Sequence, residues 1–185
     1  MKTNVWMIAL SVSLASALWL GAGEPSAESA PPTQPKLPPP SAEFERLKSL
    51  VGKWHGKADI GQGPIDMDVQ YRLIAGGTVL EERCFLGTPQ EMVTMYYDRD
   101  GKLALTHYCI MGNRPGMVFK SADDKTIKFG FDENCGINPN KEPHMHALTL
   151  RFDDADTITT SCKAIIAGQE MAEKPMTLKR VTSNL

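Results

Sequence analysis

From residue 52 onward, apolar positions recur at every second residue, the period of a half-buried β-strand. Ile65, Met67, Val69, Tyr71 and Leu73 share one face, with Asp66, Asp68, Gln70 and Arg72 on the other. Gly76-Gly77 turns the chain into a second such segment, Thr78 to Leu86. Met92 to Asp98 and Lys102 to Met111 are joined by Asp98-Arg99-Asp100-Gly101, a strong hairpin turn. Val118 and Lys120 lead through Asp123-Asp124 into Thr126 to Asp132, where Ile127, Phe129 and Phe131 line one face. His146 to Phe152 and Thr157 to Ile166 flank Asp153-Asp154-Ala155-Asp156, and Lys174 to Val181 ends the series. Strands at this spacing predict an all-β fold, either an antiparallel sandwich or an antiparallel up-and-down β-barrel of about eight to ten strands. Helical period occurs once, where Ser41 caps a short segment with Phe44, Leu47, Leu50 and Val51 on one face, ended by Gly52.

The first forty residues follow neither pattern. Lys2, the uncharged apolar run Val5 to Leu20 and the small residues Gly21-Ala22-Gly23 read as a signal peptide over residues 1–23. Uncleaved, it would serve as a membrane anchor. Residues 24–40 hold 7 prolines in 17 positions and read as a Pro-rich disordered linker, too poor in apolar groups to form a core. Residues 41–185 are then the barrel domain, in a protein of the periplasm or the medium. The net charge of −2 lacks the basic excess of a nucleic-acid binder, so nucleic acid is excluded as a partner.

The helix is followed by Gly52-Lys53-Trp54, and Arg180 stands near the end of the last strand. This arrangement resembles the opening and closing strands of the calycins, the lipocalin-like barrels, in which a basic residue packs across that Trp. Three further segments carry a closer likeness. They are Gly87-Thr88-Pro89-Gln90-Glu91-Met92-Val93-Thr94, Leu105-Thr106-His107-Tyr108-Cys109 with Gly112-Asn113, and His144-Met145-His146-Ala147-Leu148. Together they resemble an uncharacterised exported bacterial lipocalin-like family. The likeness implies the barrel and structural roles for Gly52, Trp54 and Arg180; it implies no activity.

Strand parity suggests where chemistry could lie. His107 and Cys109 share a face with Leu103 and Leu105, while His144 and His146 share one with Leu148 and Leu150. Chain direction puts both pairs at the same end of a barrel, where Arg114 could meet an anionic ligand. Imidazole and thiolate suit zinc or copper, so His107, Cys109, His144 and His146 form a candidate metal set. The same mouth could hold a small apolar or amphipathic molecule, the ten methionines serving as adaptable filler. Alternatives are a small isomerase or hydrolase with His107 as general base beside His144 or His146, and a haem-binding barrel. Glu81-Glu82-Arg83 reads as a solvated strand face with one inward polar residue. Met145 is expected to point outward. Cys84, Cys109, Cys135 and Cys162, in an exported chain, predict at least one disulfide.

Overall fold

The computed structural model describes residues 38–59 and 63–182. The expected signal peptide, and residues 24–37 of the expected linker, lie outside the described residues. Helix α1 (Ala42–Leu47) and a 3-10 turn (Lys48–Leu50) lead into β1 (Gly52–Asp59), β2 (Pro64–Ile74), β3 (Val79–Cys84), β4 (Met92–Arg99) and β5 (Lys102–Tyr108). There follow β6 (Gly116–Ala122), β7 (Thr126–Phe131), β8 (His144–Phe152), β9 (Thr157–Ile166), β10 (Gln169–Glu170) and β11 (Met176–Arg180). Every pairing is antiparallel. Strands β1 to β9 pair in chain order, and β11 joins β9 to β1, closing a ring of ten. The two-residue β10 folds back on β9 alone. Of the two architectures the alternation allows, this is the up-and-down barrel that the calycin likeness implies.

Helix α1 caps one end. Ser41 starts it by accepting the Phe44 amide at 3.1 Å while its own hydroxyl donates to Asp98 at the close of β4. Arg46 donates to the carbonyls of Asp123 and Asp124 in the β6–β7 turn. Phe44, Leu47 and Leu50 are fully buried. The turns after β2, β4, β6 and β8 therefore gather under the helix, and the loops after β1, β3, β5 and β7 form the opposite end.

The seam between first and last strands is closed by Trp54 and its cross-strand partner Arg180. Trp54 is buried and donates from Nε1 to the Leu50 carbonyl at 2.7 Å. Arg180 lies over its ring at 4.3 Å and donates to the Ser49 and Val51 carbonyls, which the ending helix leaves unsatisfied. An ion pair to Asp156 ties the same guanidinium to the β8–β9 turn.

Two expectations need correction here. All four cysteines are unpaired, so the expected disulfide is not formed. Cys84 and Cys162 sit on β3 and β9, strands that do not neighbour one another, and Cys109 and Cys135 sit in separate loops. Met145 points inward instead of outward, because β8 carries a bulge between Met145 and Ala147. One extra residue in a strand reverses the parity of everything beyond it.

Candidate ligand cavity

The inward residues of β2 to β5 form a level row across four neighbouring strands. Tyr71 pairs with Glu82, Glu82 with Thr94, and Thr94 with His107. Directly opposed residues bring their Cβ atoms to about 5 Å, so the row is a continuous polar ledge on an otherwise apolar wall. Tyr96, one inward position deeper on β4, donates its hydroxyl back to Glu82 Oε2 at 2.6 Å. Tyr71 donates to the same carboxyl. Thr94 Oγ1 and His107 Nδ1 are 2.9 Å apart.

Above this ledge is a cavity of about 120 Å³. Glu82, Thr94, Tyr96 and His107 line one side; Met145, Leu148, Thr160 and Cys162 line the other. Met67, Met92 and Met176 bring the sulfur-bearing walls to four methionines and two thiols, with Cys84 beside Phe85 at the mouth. An engineered apolar cavity of about 150 Å³ takes benzene, whereas pockets for drug-sized ligands begin at roughly 300 Å³. The space therefore suits a small molecule and is too small for a haem macrocycle.

Burial sets the charge states. It pushes the Glu82 carboxyl up from its ordinary range, partly offset by the two tyrosine hydrogen bonds. Glu82 retains some accessible surface, and that surface opens onto the cavity. His107 is pushed down to about 4 by desolvation, so its imidazole is neutral near pH 7. The Cys84 and Cys162 thiols are both pushed up to about 12, chiefly by burial. Nε2 of His107 and the Thr160 hydroxyl make no hydrogen bond among the described residues, yet neither is sealed from solvent. Both offer a free valence to whatever enters.

The expected site residues divide into three places. His107 alone lines the cavity. His144 and His146 pack with Phe131, at ring distances of 4.5 and 5.5 Å. His144 Nδ1 lies 2.8 Å from the Glu142 carbonyl, which can only accept, so that nitrogen carries the proton. Nε2 of His144 then accepts from His146 Nδ1 at 3.2 Å. Both nitrogens of His144 are used within the protein. Cys109 and Arg114 line a surface hollow with Tyr108 and Cys135, outside the cavity. Among the described residues, no three His, Cys, Asp or Glu side chains are grouped to hold a metal. The bulge in β8 explains the separation, since it keeps His144 and His146 off the cavity wall.

Glu82 is the residue that motif reading did not single out. Its neighbours Glu81 and Arg83 face outward and pair with Arg72 and Glu91. Parity with Leu80 and Cys84 was the available signal for its inward position. Compared with known proteins, the chain matches no family model and no curated relative.

Proposed function

We propose that this protein is an exported, lipocalin-like carrier or sensor of a small, mainly apolar molecule with one polar group. The observation that carries the reading is the cavity, whose walls are mainly apolar while Glu82, His107 and Thr160 present polar groups to it. Few convergent polar groups in an apolar pocket are the usual composition of a ligand site. Methionine walls suit such a task, because unbranched thioether side chains adjust to a guest at low cost. Export rests on the apolar leader and Pro-rich linker of the sequence, and start of the mature chain near Glu24 is checked by N-terminal sequencing.

Methyl-labelled methionine gives a direct test. Met67, Met92, Met145 and Met176 line the cavity; Met95, Met111 and Met171 do not. A small alcohol such as 1-pentanol should shift the first four methyl resonances and leave the other three in place. Shifts confined to Met111 and Met171, or none at all, would sink the proposal.

A second reading is favoured by one observation. A carboxyl pushed up and an imidazole pushed down in the same cavity are shifts in the directions that suit a general acid beside a general base. An isomerase acting on a small carbonyl compound would use them so. Its rate should then fall when either Glu82→Gln or His107→Asn is introduced, and a rate indifferent to both would dismiss it.

A further inference from the structure

Glu82 is an acid without a base. Among the described residues no Lys or Arg lines the cavity, and His107, the basic side chain on the ledge, is neutral near pH 7. The hydrogen bonds at Glu82 are nonetheless those of an anion. Two phenol hydroxyls, from Tyr71 on one flank and Tyr96 below, both donate to it. A carboxylate takes only acceptor roles, so two donors suit it better than they suit a protonated acid, whose own O–H would also need an acceptor. A glutamine would accept the same two bonds without the cost of burying a charge. What the site lacks is a positive charge on the cavity side of the carboxyl.

We propose that the cavity takes a small organic cation, an ammonium on an apolar tail, whose charged head pairs with Glu82. The ammonium donates to the carboxyl, and the Thr160 hydroxyl and His107, in the tautomer whose Nδ1–H donates to Thr94 and leaves Nε2 an acceptor, line the same cavity to accept its remaining protons. The tail lies among Met67, Met145, Leu148 and Met176. A buried pair of this kind is worth most when both charges are fully hydrogen-bonded, and the two tyrosines supply that on the protein side. This inference rests on the reading of the cavity as a ligand site and narrows it to one class of ligand.

Binding of such a cation is linked to protons. The groups facing Glu82 are Tyr71 on β2, Cys84 on β3, Tyr96 on β4, His107 on β5 and Cys162 on β9. Only Glu82 and His107 can change charge below pH 8, and a protonated His107 would repel the guest as surely as a protonated Glu82 would fail to hold it. Ammonium binding should therefore strengthen as pH rises through the Glu82 titration.

Titration calorimetry on the full chain, with n-pentylamine, 1-pentanol and pentanoate as probes of similar size, tests this. At pH 8 the amine should bind at least about tenfold more tightly than the alcohol, and Glu82→Gln should erase that preference. Tyr96→Phe, which removes one donor to the carboxylate, should move the pH midpoint of amine binding upward. An alcohol that binds as well as the amine, or a preference for pentanoate, overturns the cation proposal while the cavity reading stands. If none of the three binds, the cavity reading itself fails.

Discussion

Arg180 sits over the Trp54 ring, its guanidinium carbon 4.3 Å from the centroid, and reaches past it to two helix-end carbonyls. One side chain thus joins the first strand, the last strand and the end of the capping helix. Removing the ring should unseat all three. Trp54→Ala is expected to destabilise by about 3–5 kcal/mol, the usual cost of deleting a large buried aromatic. Urea unfolding followed by circular dichroism would measure it. A variant within about 1 kcal/mol of the parent would show that the seam depends on something else.

Gly56 is a second test of the same seam. A Cβ built there would lie 2.3 Å from the Thr177 carbonyl oxygen and 2.8 Å from a Leu178 methyl. The nearer neighbour is backbone and cannot rotate away, so β1 and β11 would have to part. Gly56→Ala should cost about 1–3 kcal/mol, whereas alanine ordinarily stabilises a strand relative to glycine. A neutral or stabilising result in the same urea assay would mean that the two strands are less closely seated.

His107 should make the protein acid-sensitive in a defined window. Its folded value of about 4 lies below the 6.5 of an exposed imidazole, so the unfolded chain binds the proton first. Stability contributed by the neutral ring is full above pH 6.5 and is lost as pH falls from 6.5 to about 4. The loss should approach about 3 kcal/mol, since stability falls by about 1.4 kcal/mol for each pH unit crossed between the two values. Below that window this group adds no further slope. His107→Asn should flatten the pH–stability curve between those limits; an unchanged curve would exclude His107 as its source.

The four thiols should divide two and two. Cys84 is buried and Cys162 half-buried on the cavity wall, and both are pushed up to about 12, so almost none of either is thiolate at pH 8. Cys109 and Cys135 are half-buried at the surface hollow. Brief treatment of native protein with iodoacetamide should label Cys109 and Cys135 and spare the other pair until urea is added. Mass spectrometry of tryptic peptides reads the pattern directly, and native labelling at Cys162 would contradict the suppression of its thiolate by burial.

Much of this was legible along the chain. Period-two alternation requires no knowledge of neighbours, because each strand must bury one face whatever it pairs with. The all-β fold and the capped helix from Ser41 follow from patterns of that local kind, whereas the barrel and the pairing of Trp54 with Arg180 were implied by the calycin likeness. The position of Glu82 was half legible: parity sends it inward, but only the register of β2 to β5 sets it level with Tyr71, Thr94 and His107. The histidines show where local reading ends. Alternation put His144 and His146 on the same face as Leu148, and a bulge of one residue removed them from it. No residue type marks that bulge. It lies near the start of β8, where His144 packs on Phe131 and the strand pairs with β9, contacts that exist only once separate segments have met. Register, bulges and the electrostatics of a closed cavity belong to the assembled barrel, because each depends on contacts between residues far apart in the chain.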